Sequence, residues 1–184
     1  MADYEIFSCP QFSNKVLIIL FEGVQNNAEI KSELLKGNRD YDYAFVNCDN
    51  IASQEQVYSA LYKALLDDLL GQTKSKTLHS EIIFDLSPLK NIVESLNKFG
   101  ISSTSTNIIA LKVLSDSQID NVATYVDNLK QRVKGSVVHF DQANLSRFTN
   151  FAQLKKNYKL TNISTEDVEE LTRILVGLTQ LKGT

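Results

Sequence analysis

The sequence predicts a sheet layered with helices, folded as a single compact domain over residues 1–184, and three observations predict it. Short β-branched or apolar runs alternate with segments whose apolar residues recur at helical spacing. The chain is 43% hydrophobic and 22% charged, enough for one good core that buries roughly 70% of the unfolded surface. Two prolines, seven glycines and no low-complexity stretch or internal repeat leave no linker at which to divide it. Alternation by itself favours a parallel, doubly wound sheet, but no glycine-rich phosphate loop follows any strand, so a nucleotide-binding version of that fold has no support.

Val16 to Phe21 predicts a strand, Ala28 to Lys36 a helix and Ala44 to Asn47 a second strand. Ser53 and Gln56 have the spacing of a capping box, so a long helix is expected from Gln54 to about Leu70, with Gly71 as its stop. Ser80 to Leu86 reads as a strand, because Ile82, Ile83 and Phe84 are β-branched or aromatic. Ser87 and Pro88 then suit the cap and first position of a helix whose residues Leu89, Ile92, Val93, Leu96 and Phe99 share one side. Gly100 is expected to close it in a left-handed conformation, with Ile101 folding back onto the apolar face. Asn107 to Leu114 is a nearly continuous apolar strand, and Ile119 to Val133 an amphipathic helix ended by Gly135. Ser136 to Phe140 is a candidate fifth strand, and helices over Ser146 to Tyr158 and Thr165 to Lys182 close the chain, the last with Glu166, Asp167, Glu169 and Glu170 at the positive end of its dipole.

The segment Lys74 to Ile101, with its basic entry, Thr77-Leu78, Ser80-Glu81-Ile82-Ile83, Leu86-Ser87-Pro88, Asn91-Ile92 and Lys98-Phe99-Gly100-Ile101, resembles the kinase-binding subunit family of the KEOPS (EKC) complex. Lys156-Asn157-Tyr158-Lys159-Leu160 resembles a second element of that family, and Val16 to Val24 its first strand. The chain has Lys76 where the family commonly has Arg, a point-like ammonium in place of a bidentate guanidinium. The resemblance covers the whole chain and rests on these blocks occurring together and in order.

What the resemblance implies is specific. The fold becomes α+β, with a mixed, largely antiparallel sheet flanked by helices. The function becomes that of a non-catalytic subunit that binds and supports the small atypical kinase/ATPase of KEOPS, and through it the threonylcarbamoyl-transferase subunit. It also implies help in recruiting tRNA by its 3′ CCA end for threonylcarbamoyladenosine modification beside the anticodon, in nucleus and cytoplasm, with roles in telomere maintenance and transcription. No cofactor or metal is expected. The polar contacts to tRNA fall first on Lys74, Lys76, Asn91 and Lys98, then on Lys155, Lys156 and Lys159, with Phe99 as an aromatic shelf or, in the commoner case, a core residue.

Charge is unevenly spread behind the net value of -3. Residues 1–70 carry five basic and eleven acidic side chains, and Lys130 to Leu160 holds seven basic residues against Asp141 alone. A face of that kind suits phosphates, although helical lysines are more often a solvated surface. The longest apolar run is too short to span a bilayer, Met1 to Ile6 lacks the pattern of a secretory signal, and Cys9 and Cys48 make neither a zinc site nor a disulfide framework. His79 and His139 have no ligand spacing and no motif neighbours; a nucleophile at Ser80 or Ser136 is the enzymatic alternative, and Glu81 is expected to pair with Lys74 or Lys76.

Two helices offer surfaces for the kinase. In the helix from Gln54, Val57, Leu61, Ala64 and Leu65 form one apolar stripe and Tyr58, Tyr62, Leu66 and Leu69 a second, leaving Gln56, Ser59, Lys63 and Asp67 as a polar strip. The second stripe packs under another element or meets a partner, and tyrosines favour a partner surface. In the last helix Val168, Leu171, Leu175 and Leu178 form the core stripe, with Ile174, Val176 and Leu181 off it, and Gly177 marks a close helix approach within the fold or to a partner. The expected kinase contacts are Tyr58, Tyr62, Leu66, Ile174, Gly177, Leu178 and Leu181. A protein-only adaptor without RNA contact is the second reading, and a small stand-alone hydrolase the third.

Overall fold

The computed structural model describes residues 3–182, so the four outermost residues of the expected domain lie outside it. Five described strands, β1 (Glu5–Phe7), β2 (Lys15–Glu22), β3 (Ala44–Asn47), β4 (Ile108–Leu114) and β5 (Ser136–Val138), form one open sheet. The order is β1-β2-β4-β3, every pairing is antiparallel, and β5 joins β2 beyond β1 on the same side. In the central pair Ile18 faces Leu111 and Ile19 faces Ala110. The fold is α+β, and the parallel alternative that alternation favoured does not occur among the described strands.

Helices cover both faces of the sheet, which explains why β2 is apolar without alternation. Val16, Ile18 and Leu20 point to a large core with α2 (Gln54–Leu69), α3 (Leu78–Leu86), α7 (Gln142–Phe148), α8 (Phe151–Asn157) and α9 (Val168–Gln180). Leu17, Ile19 and Phe21 point to a second core with α1 (Asn27–Leu35) and α6 (Val122–Arg132). All six side chains are fully or almost fully buried, and burial of each stabilises the fold by roughly 1.5–3 kcal/mol.

The expected strand at 80–86 is a helix. Thr77 caps α3 by accepting the Ser80 N–H at 3.1 Å, and every residue from Glu81 to Ser87 is buried, because α3 lies between the sheet, α2, the following helix and α9. Burial all round removes the amphipathic period, and the remaining β-branched composition mimics a strand. Ser87 is consequently not a helix cap with Pro88 at the first position. It sits extended before Pro88, as pre-proline residues prefer, and the next helix, α4 (Ile92–Phe99), begins only after Asn91, whose Oδ1 accepts the Glu94 N–H at 3.0 Å.

Gly100 is extended, not left-handed. It bridges Val46, Ile101 donates to the Phe45 carbonyl at 3.0 Å, and α4 thus ends by joining the β3 edge, with Ile101 in the second core beside β3 instead of folded back on α4. A Cβ at Gly100 would stand 2.5 Å from the Leu96 carbonyl oxygen, which is why glycine is needed there. Gly71 does close α2 in the left-handed region, at φ +67°. The helix expected from 119 is preceded by a single turn, α5 (Asp116–Ile119), and the one expected over 146–158 breaks at Asn150 into α7 and α8. β1, three residues long, has too little pattern to be seen in the sequence. Cys48 lies buried just after β3, and both cysteines are free.

Candidate functional site

The two sequence blocks that carry the family resemblance form one unit in space. The Tyr158 ring stands edge-on to Phe99, with centroids 5.3 Å apart. Its hydroxyl donates to the Leu86 carbonyl and accepts from Gln56 Nε2 at 3.0 Å. Phe99 is fully buried, which excludes it as a shelf for bases. Beyond Tyr158, Lys159 takes a left-handed φ of 58° to close α8, and its ammonium acts with that of Lys98, 2.9 Å from Glu94, to hold the Glu94 carboxyl below its usual range. Lys98 and Lys159 therefore share one side of α4. Lys155 and Lys156 lie in the last turn of α8. Asn91 is engaged as the α4 cap, and Lys74 and Lys76 lie exposed in the segment that enters α3.

On the other side of α4 lies a groove of about 540 Å³, bounded by α1, the β3 edge, the start of α3 and α4. Leu34, Leu35, Ile83, Val93 and Leu96 give it an apolar lining, and Lys31, Arg39 and His79 give it a polar margin. Leu35 and Val93 are 80% and 67% exposed, so two large apolar side chains stand open at this groove. Lys74, Lys76, Asn91 and Lys98, expected as the principal polar contacts, do not line it; Thr77, Ser80 and Asn97 do. Val93, expected on the buried side of its helix, faces this opening. Its exposure could not be read from spacing, because Val93 and Leu96 continue the same apolar period as Phe99.

His79 is fixed as one neutral tautomer. Its Nε2 accepts the Val113 N–H at 3.0 Å, so the proton is on Nδ1, which donates to Asp42 at 2.9 Å. That hydrogen bond holds the Asp42 carboxyl below the usual carboxylate range. The Asp42 carbonyl accepts from Lys112 Nζ, which lies over the rings of Tyr43 and Tyr125; burial pulls the lysine pKa down and pushes Tyr43 up to about 12. Both His79 nitrogens are thus occupied within the fold, and Ser80 Oγ is engaged with Thr77. A Ser80–His79 pair, one of the arrangements the hydrolase reading allows, is not assembled here. Glu81, expected to pair with a lysine ammonium, instead accepts the backbone N–H groups of Lys74 and Ser75 at 3.0 and 2.8 Å.

A second exposed surface lies on α2 and α9. These run side by side in the same direction: Thr172 Oγ1 donates to Ser53 Oγ at 2.6 Å, and Gln180 Nε2 to the Ser59 carbonyl at 3.0 Å. The polar strip expected on α2 is built into the fold, with Gln56 buried and bonded to Asn50, Ala52 and Tyr158, Ser59 accepting from Gln180 and Lys63 paired with Asp67. Of the second stripe, Tyr58 belongs to the fold, donating to Glu5 at 2.7 Å and stacking on Phe7. Leu66 is half-buried, while Tyr62, edge-on to Phe12, Leu69 and Leu70 are exposed. On α9 Ile174 is half-buried, and Leu178, expected in the core stripe, is exposed, as is Leu181 just beyond. Gly177 has open space where a Cβ would stand, so it marks no close approach of helices within the described fold. Leu70 is a member of this surface that the sequence did not single out; the apolar run continuing to the Gly71 stop was the available signal.

The groove and the apolar helix pair are the two described surfaces suited to receive a partner. Residues 21–183 match the sequence model of the family described as "Kinase binding protein CGI-121", and the chain belongs to that family. It is 37% identical to the "EKC/KEOPS complex subunit CGI121" of Debaryomyces hansenii over 98% of both chains. It is 36% identical to the subunit of that name from Aspergillus fumigatus, over 91% of this chain and 89% of that one, and 37% identical to that of Schizosaccharomyces pombe, over 83% and 86%.

Proposed function

We propose that this protein is a subunit of an EKC/KEOPS complex that binds and supports the kinase/ATPase of that assembly through the exposed ends of α2 and α9. The observation that carries the reading is the apolar group Tyr62, Leu69, Leu70, Leu178 and Leu181, held on two helices that hydrogen bond to each other, in a chain of a kinase-binding family. The two helices are tied to each other by Thr172–Ser53 and Gln180–Ser59, so docking needs little ordering of the backbone. The test is size-exclusion co-elution with the kinase subunit, for wild type and for Tyr62→Glu and Leu178→Glu, with circular dichroism confirming the fold. The expected result is a one-to-one complex weakened tenfold or more in both variants, on the order of what a central interface residue contributes. Unchanged co-elution of both folded variants overturns the assignment of this surface.

The same subunit helps recruit tRNA, with the 3′ CCA end at the groove beside α3 and α4. A groove with an apolar floor and cationic margins suits unstacked bases, and the exposed Lys74 and Lys76 lie next to it in sequence, before Thr77. Lys98 and Lys159, which both act on Glu94, and Lys155 and Lys156 in the last turn of α8 are the further contacts to backbone phosphates in this reading. Double reversal of Lys74 and Lys76 to Glu is expected to weaken tRNA binding and flatten its salt dependence, by a slope of about 0.7 per lost single-strand contact. Binding that does not change, or that never depends on salt, favours the protein-only adaptor.

A further inference from the structure

Beneath both surfaces lies a group of charges that neither uses. Glu81 and Asp85, on successive turns of α3, are fully buried, and with Asp67 of α2 they bring carboxylate oxygens within 4.8 Å of one another. Glu81 Oε2 is satisfied by the Lys74 and Ser75 amides, but Glu81 Oε1 and both Asp85 oxygens have no hydrogen-bond donor. The cations that face them are Lys63 of α2, 2.9 Å from Asp67 and 3.6 Å from Asp85, and Lys182 beyond α9. Lys182 Nζ spends its hydrogen bonds on the Phe84 and Ser87 carbonyls and lies 3.5 Å from the centre of the Phe84 ring. Lys74, in the entry segment, is exposed and adds a field without a contact.

Three carboxylates against two buried or half-buried ammoniums leave one negative charge in excess, and three acceptors lack a donor. One proton removes the excess charge and, shared between Asp85 Oδ2 and Glu81 Oε1, relieves two of the three acceptors, leaving Asp85 Oδ1 to face the Lys63 ammonium at 3.6 Å. A divalent cation fits less well, since Lys63 already holds the position between Asp67 and Asp85 and a second cation would face its charge.

We propose that Asp85 is a carboxylic acid in the folded protein, sharing its proton with Glu81 Oε1, and that this proton makes the packing of α3 against α2 and the C-terminal end of the chain dependent on pH near neutrality. The proton removes the repulsion that keeps the two carboxyls apart and supplies the missing donor. Burial, opposed by Lys63 and reinforced by Glu81, pushes Asp85 up to about 7, in agreement with the geometry. Its loss to solvent leaves two carboxylates one turn apart on α3, relieved only if Lys63 or Lys182 turns towards them. A Lys182 that does so gives up the Phe84 and Ser87 carbonyls, so the proton bears both on the anchor of α9 and, through Glu81, on the Lys74–Ser75 entry segment. The inference concerns the fold and stands whether or not RNA is the ligand.

An acid with a raised folded pKa stabilises the fold at low pH. That contribution is lost as pH rises from the unfolded value of 3.8 through about 7 and is flat above. Lys182, lowered to about 8 by burial, gives the opposite slope and only above that value, so from pH 5 to 7.5 the difference between wild type and Asp85→Asn, in which the histidines are common to both, reports Asp85. The test is urea unfolding of the full chain across that window, for wild type, Asp85→Asn and Lys182→Met, with the wild-type Asp85 carboxyl followed by carbon NMR. The expected result is a wild-type folding constant that falls on the order of tenfold to a hundredfold relative to Asp85→Asn. Asp85→Asn, which keeps a donor towards Glu81, should fold normally, Lys182→Met should retain the wild-type slope, and the NMR titration should lie near neutrality. Parallel slopes for wild type and Asp85→Asn, an Asp85→Asn chain that does not fold, or an Asp85 titration below pH 5 each overturn the proposal. So does micromolar binding of Mg²⁺, Ca²⁺ or Mn²⁺ by calorimetry that Asp85→Asn abolishes, which would identify a metal site instead.

Discussion

Tyr158 is the residue on which the two sequence blocks meet. Its ring packs on Phe99, and its hydroxyl joins α8, α3 and the start of α2 through Leu86 and Gln56. Burial raises its pKa far above the ordinary tyrosine range, so it is a neutral donor near pH 7. Tyr158→Phe keeps the ring and removes the bridge, leaving a buried carbonyl and a buried amide short of a partner. The expected cost is about 1–3 kcal/mol in urea unfolding, with no change in kinase binding. Gly100 is constrained by contact instead of by φ. Gly100→Ala brings a methyl onto the Leu96 carbonyl, which is backbone and cannot swing away, and should cost about 1–3 kcal/mol, read as a lower unfolding midpoint.

At the scale of elements, α3 ties the molecule together, contacting α2, α4, α9 and the sheet. Thr77→Ala removes its cap and should cost about 1 kcal/mol, with the loss of amide protection concentrated in residues 78–81, as hydrogen exchange would show. This is also the element that the sequence misread, for a physical reason. Ile82, Ile83, Phe84 and Leu86 are buried around the whole helix, so no polar face remains to display the 3.6-residue period. The strands β2 and β4 and the helix α2 were legible, because an uninterrupted apolar run, or a stripe with a cap and a glycine stop, has one reading. Gln56 and Leu178 show the limit on helices whose type was right. A glutamine on an expected polar strip is buried because it bonds Asn50, Ala52 and the distant Tyr158, and a leucine on an expected core stripe is exposed because the buried stripe of α9 runs through Leu171, Leu175 and Thr179. The groove was hidden for the same reason, since its walls come from α1, β3, α3 and α4, and only folding brings them together.

For the whole molecule, the two proposed binding surfaces are separate, an apolar one on α2 and α9 for the kinase and a groove beside α3 and α4 for the end of a tRNA. They share the frame of α3 but no exposed side chain. Lys74 and Lys76 give the second surface a salt dependence that the first should lack. The most direct test is to measure kinase binding by calorimetry and tRNA binding by salt-dependent titration for two folded single variants, Leu178→Glu and Val93→Glu. The prediction is that Leu178→Glu weakens the kinase complex tenfold or more and leaves tRNA binding by the isolated chain unchanged, while Val93→Glu does the reverse. Loss of both ligands in either folded variant, or full kinase affinity in Leu178→Glu, would contradict it.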